Sequence, residues 1–359
     1  MPDMNNKITK MQIEQRYKEM NLKLSSVEVG DGYEILITEH GGRIFGPFNK
    51  DGESVLWVNG VFEDAEKFAK FIEERQWNLG GDRLWIAPEL ELFCTAPEKF
   101  DESYTVQGSM DPGYYKMETE GRKVVLKDQA TMEVLAGEGT KSYALKRTIR
   151  PAADPLKYVQ GISTEKLSFA GYFQDIELKD TAPEKEMYLE PWILTQINPG
   201  GKVLVPYLGD FEFVDYYNPV DEKCQKVKEN YVELTITGDR KYKTAYRAAN
   251  TFGRMGYVNR TSDGQLYLMI RNYYNDPSFP YSNGPWKDPE DRGCSMYFYN
   301  DDGSVGGFAE FENSCTPIGL DSDLNASVST TALWFYFGEA EELEKVIRIL
   351  LGINYKISI

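Results

Sequence analysis

The sequence has a single histidine, His40, among its 359 residues, and that excludes histidine-rich metal sites and any mechanism needing two imidazoles. Its four cysteines, Cys94, Cys224, Cys294 and Cys315, form no CxxC pair, so neither a zinc knuckle nor a dithiol redox motif is supported and reduced, buried thiols are expected. No apolar run reaches the ~18 residues of a membrane span, and Met1 to Arg16 contain no stretch like a secretory signal, so a cytoplasmic location is the expectation. Positive charge is scarce too. Forty Lys and Arg against 57 Asp and Glu leave a net charge of -17, which repels phosphate backbones and anionic headgroups and argues against nucleic acid or membrane partners. Walker-type glycine loops, a serine nucleophile elbow and HExxH are absent as well, and no cofactor or metal is expected. Asp321 to Asn325 opens with calcium-loop spacing, but Ala326 stands where the loop needs glycine and no closing acid follows, so it reads as an ordinary loop.

What is present is β-type patterning. Short β-branched and aromatic runs broken by turn residues cover Tyr33 to Thr38, Ser54 to Val58, Tyr104 to Gln107, Lys123 to Leu126, Tyr143 to Arg150 and Tyr231 to Ile236. Helical spacing is confined to Ile8 to Met20, Asp64 to Glu74 and Glu339 to Leu351. No fixed repeat or long linker intervenes. The expected organisation is an N-terminal helical extension over 1–24, one all-β domain over 25–338, and a C-terminal helix over 339–359 packed on that domain.

Two stretches could carry chemistry. In Trp77-Asn-Leu-Gly-Gly-Asp-Arg-Leu-Trp-Ile-Ala-Pro-Glu89, paired glycines would let the backbone approach a ligand, Trp77 and Trp85 offer flat faces for a sugar ring, and Arg83 could donate to hydroxyls or a carboxylate. The competing reading makes both tryptophans core residues and pairs Arg83 with Asp82 or Glu89. In the second stretch, Asn300 to Ser304 reads as a turn between two strands, and on the later one Glu310 and Glu312 alternate with Ala309 and Phe311. Both carboxylates therefore point to one face, where like charge and burial would separate their pKa values for acid/base work. A solvated strand face is the alternative.

Taken together, Glu39-His-Gly-Gly-Arg-Ile-Phe-Gly46, Leu56-Trp-Val-Asn59, Gly80 to Glu89, Pro191-Trp-Ile-Leu-Thr-Gln-Ile-Asn-Pro-Gly-Gly201 and Glu310-Phe-Glu312 resemble the galactose mutarotase-like superfamily, in its uncharacterised bacterial branch. The resemblance covers residues 25 to 338 and implies a large antiparallel β-supersandwich with a few peripheral helices and a carbohydrate cleft on the concave side of one sheet. It implies a late-strand glutamate as base, and Glu312, five residues before Pro317, matches that position better than Glu310. It nominates Arg83 for substrate binding, and Trp85, Asp82 and Trp77 of the same stretch, with His40, are the further candidates. The chain departs from the pattern in having no histidine after His40 to serve as acid. The expected function is thus carbohydrate binding with a sugar epimerase activity resting on a glutamate base. The alternatives are a non-catalytic carbohydrate-binding protein and a domain associated with glycan lyases or hydrolases.

Overall fold

The computed structural model describes residues 7–160, 165–183, 185–216, 218–322 and 324–359. Met1 to Asn6 of the expected N-terminal extension, and Asp323 of the expected 321–325 loop, lie outside them. Among the described residues nineteen strands form two antiparallel sheets, one of nine strands and one of ten. At the centre of the nine-stranded sheet, Asp82–Ala87, Glu190–Ile197, Ala309–Ser314, Cys294–Asn300 and Tyr242–Arg247 lie side by side in that order. The long strands Lys123–Glu133, Thr140–Pro151, Ser168–Asp180 and Ala326–Phe337 build one half of the other sheet.

Period-two alternation explains why both sheets bury a face. Lys123–Glu133 puts Val124, Leu126, Ala130 and Met132 into the core between the sheets while Lys127, Gln129 and Thr131 face out. The aliphatic and aromatic side chains packed there form one continuous cluster. A second cluster lies on the outer side of the ten-stranded sheet, where Leu343, Val346 and Ile347 of the Ala340–Leu350 helix cover Leu268, Ile270 and Trp334.

The three expected helices form over Lys10–Glu19, Ala65–Glu73 and Ala340–Leu350. Thr9 and Asp64 cap the first two by accepting backbone N–H groups, which fixes where those helices begin. Two expected strands do not form. Across Ser54 to Val58 the backbone bonds change partner from residue to residue, Val55 to Pro47 and Trp57 to Gln196, so no ladder develops. Over Tyr104 to Gln107 side-chain bonds stand in for a ladder, with Gln107 donating to the Leu92 and Glu133 carbonyls and accepting from the Glu133 N–H. The connection expected as a tight turn at Asn300 to Ser304 runs on to Phe308. No helix is long and apolar enough to cross a membrane among the described residues.

One polar group is built into the inter-sheet core. The Asp82 carboxylate, fully buried, accepts from Arg147 and Arg271 at 2.7 Å each, from Tyr172 and Gln174 at 3.0 Å each, and from Thr195. Four of these donors come from the ten-stranded sheet, so Asp82 ties the two sheets together by charge.

Candidate functional site

Alternation along Asp82–Ala87 sends Asp82 into the core and turns Arg83 and Trp85 to the opposite face, where a cavity of about 250 Å³ opens. Trp192, Leu194, Tyr299, Glu310 and Lys243 join them from the neighbouring strands. Segments between strands close the sides. These bring in Trp77, Glu89, Phe100, Tyr104, Val305 and Phe308.

The Val305 segment is held by Asp301, whose carboxylate accepts the backbone N–H groups of Gly303, Val305, Gly306 and Gly307 at 2.8 to 3.1 Å. Asn78 donates to the Val305 carbonyl and accepts from Gln196, which joins this loop to the sheet. The glycines of Gly80-Gly81 have a role different from the expected one. A Cβ on Gly80 would meet the Trp57 carbonyl oxygen at 2.6 Å and one on Gly81 the Ile44 carbonyl oxygen at 2.5 Å, at φ +98 and +76. They admit neighbouring backbone, not a ligand.

Arg83 is the centre of the cavity. Its guanidinium donates to Glu310 at 2.6 Å and lies 4.3 Å from the Trp85 ring and 5.0 Å from the Trp77 ring. This arrangement gives Trp85, itself in the lining, a second part beside the expected one. The indole is buried, stacked on Phe93 and covered by Arg83, so it supports the arginine. Nε and Nη1 of Arg83 are buried with no partner, which leaves two donor nitrogens, with three N–H groups between them, to be met. Trp77, half-buried, keeps its place in the lining.

The two late glutamates share a face, as alternation requires, but not an environment. Glu310 lines the cavity. Glu312, fully buried, does not; its Oε2 accepts from the Trp192 indole at 2.8 Å and stands 3.8 Å from the Lys243 ammonium. Burial pushes the Glu312 carboxyl up to about 8; Lys243 counters that only in part, and Glu310 and Glu89 add to it. Glu312 is thus sealed from the cavity, the reverse of what its match to the base position implies.

Lys243 and Glu89 carry the rest of the charge. Lys243 donates to Glu89 at 2.8 Å, with its ammonium 4.5 Å from the Trp192 ring and 5.3 Å from the Tyr216 ring. Burial draws its pKa down, but Glu312 and Glu89 outweigh that and leave it raised. Glu89 is fixed from three sides: by Lys243, by the Tyr104 hydroxyl at 3.2 Å, and through its own N–H, which donates to Asn283. Sequence reasoning missed Lys243 as a site residue. Its one signal was a cationic side chain inside an aromatic strand, Tyr242-Lys-Thr-Ala-Tyr246.

His40 is not part of this cavity. It sits in the His40–Gly42 turn, its Nε2 buried without a partner, and burial, then Arg43 and Arg75, lower its pKa to about 4. Asp82 is excluded by its place in the core. Among the described residues no group of three or more His, Cys, Asp or Glu side chains could hold a metal ion, and the four cysteines are buried and unpaired.

The sequence model of a protein family described as a family of unknown function, DUF6786, matches residues 12–357. No curated protein matches the chain. Among solved structures, the chain is similar to a galactose mutarotase-like protein from Lactobacillus casei ATCC 334, at 10% identity and a TM-score of 0.44 over 88% of this chain and 99% of that one. It is also similar to a galactose mutarotase related enzyme from Lactobacillus acidophilus, at 7% identity and a TM-score of 0.40 over 88% of this chain and 97% of that one.

Proposed function

The chain belongs to the DUF6786 family of unknown function, and from that premise we propose that its cleft binds a carbohydrate. The observation that carries this reading is the Arg83–Glu310 pair at 2.6 Å in the lining of the aromatic-walled cavity. A sugar hydroxyl is both donor and acceptor, and a guanidinium beside a carboxylate answers both halves of it. Rings of Trp77, Phe100, Tyr104 and Phe308 supply the apolar walls that the C–H faces of a sugar need. The cavity's size, near the lower end of small-ligand pockets at about 300 Å³, suits one ring better than a long glycan.

A second reading, a sugar epimerase, is favoured by the contrast between the two late glutamates. Glu310 faces the cavity beside a guanidinium, while Glu312 behind it is fully buried, where burial pushes its carboxyl up, and two carboxyl groups held in such different environments are the material for acid/base chemistry. In this reading Glu310 is the base and Glu312 is not. A thermal-shift screen over free monosaccharides tests the first reading. A ligand at 100 times its Kd stabilises by about 2.7 kcal/mol, and no shift with any sugar would reject it. Polarimetry on the sugars that bind then tests for turnover, and a ligand that is bound but never interconverted leaves a binding protein.

A further inference from the structure

We infer that the ligand of this cleft is uncharged, a neutral polyhydroxylated molecule and not a uronate or a sugar phosphate; this rests on the reading of the cleft as a carbohydrate site. The observation behind it is that the cationic side chains of the lining, Arg83, Lys243 and Lys241, are each matched by a carboxylate of the lining, Glu310, Glu89 and Asp101. The Lys241–Asp101 pair stands at the exposed mouth, and the other two pairs are deep, with side chains 2 to 9% exposed.

Charge matching at that depth decides what can enter. An anionic group reaching Arg83 would come within a few Å of Glu310, and one reaching Lys243 would meet Glu89. Neither carboxylate is loose: Glu310 is buried on the Ala309–Ser314 strand and bonded to Arg83, and Glu89 is fixed from three sides. An anion that took the cation for itself would leave a buried carboxylate without its partner, which costs more than the new contact returns. The protein's net charge of -17 opposes approach from outside as well. A hydroxyl meets none of these obstacles. The N–H groups left over in the lining, Nε and Nη1 of Arg83, need only a neutral oxygen.

Glu310 is therefore a specificity-determining residue, because its charge is what cancels that of Arg83. The test is calorimetric titration of the intact protein with a set of aldohexoses, each beside its uronate and its 6-phosphate. The neutral member of the best-bound set should bind at least about tenfold tighter than its charged counterparts. A charged counterpart that binds as tightly or tighter overturns the inference and leaves the carbohydrate reading standing. Failure of every member, neutral and charged, overturns that reading itself. Glu310→Gln keeps the shape and removes the charge, so the ratio of charged to neutral affinity should rise by about tenfold or more, and an unchanged ratio refutes the inference. Should that variant not fold, as judged by circular dichroism, Glu89→Gln serves. It should move the ratio in the same direction by a smaller factor, because the Arg83–Glu310 pair stays matched.

Discussion

Trp85 donates its indole N–H to the Asp111 carboxylate at 2.8 Å, and the same oxygen, Oδ2, accepts from Arg43 at 2.5 Å. The floor of the cleft is thereby pinned from behind by a buried ion pair with no part in the lining. Arg83 rests on Trp85, so the position of the ligand-facing guanidinium depends on a residue one layer deeper.

Asp111→Ala should destabilise the protein by about 3 to 5 kcal/mol, since Arg43 would be left as a buried charge without a counter-ion. Asp111→Asn should cost less, because an amide oxygen can still accept the Trp85 indole. Urea unfolding followed by tryptophan fluorescence measures both. A loss below about 1 kcal/mol for the alanine variant would mean that Arg43 has found another partner.

Asp82→Ala removes the acceptor shared by Arg147 and Arg271 and should cost at least as much, about 3 to 5 kcal/mol. Its effect belongs to the fold. Provided the protein stays folded at the assay temperature, ligand affinity should change little, because the carboxylate lies on the side of the strand away from the cavity. An affinity loss like that of an Arg83 variant, in a protein with native circular dichroism, would contradict this division of labour.

The same division marks how far the sequence could be read. Alternation made the shared face of Glu310 and Glu312 legible, because it depends on local geometry alone. Asp82 was nominated with Arg83, yet adjacent residues of a strand point to opposite faces, and its partners Arg147 and Arg271 stand 65 and 189 residues further on. Which of the two glutamates lies open was equally hidden. Lys243 and Trp192 seal Glu312, and both come from strands distant in sequence. Motif spacing favoured Glu312, whereas its surroundings leave Glu310 in the lining.

Burial of carboxyl groups predicts a stability that falls as the solution becomes more alkaline. Glu190, fully buried and bonded to the Ser282 N–H and hydroxyl, is raised from 4.5 to about 7, first by burial. The folded state then holds a proton that the unfolded state releases. The stability so contributed is complete below about pH 4.5 and is lost as pH rises through about 7, with an upper bound near 3 kcal/mol at 1.36 kcal/mol per pKa unit. Glu190→Gln, whose amide oxygen can accept the same bonds, should show a flatter profile between pH 5 and 8 and exceed the parent at pH 8. Glu312 has the same sign, with its loss reaching to about pH 8, so part of the parent's decline should persist in this variant. Urea midpoints at pH 5 and pH 8 give the comparison, and parallel profiles for parent and variant would show that Glu190 does not titrate in that range.

The most direct test of the cleft is the pair that defines it. Arg83→Ala should weaken the best sugar ligand by about 1.5 to 3 kcal/mol, the value of a hydrogen bond from a charged donor. Arg83→Lys should recover only part of this, because an ammonium can bond Glu310 but has no planar group to set against the Trp85 and Trp77 rings. Removing Arg83 also leaves the Glu310 carboxylate deep in the cleft without its cation, so some of the loss would reflect a rearranged cavity and not a missing contact. Combining Arg83→Ala with Glu310→Gln separates the two contributions. If the arginine acts on the ligand mainly by holding Glu310, the double variant should lose little more than the worse of the single variants, and the coupling energy should be of the order of 1 kcal/mol or more. Strict additivity would mean that the two side chains meet the ligand independently. Unchanged affinity in Arg83→Ala would mean that the sugar binds elsewhere.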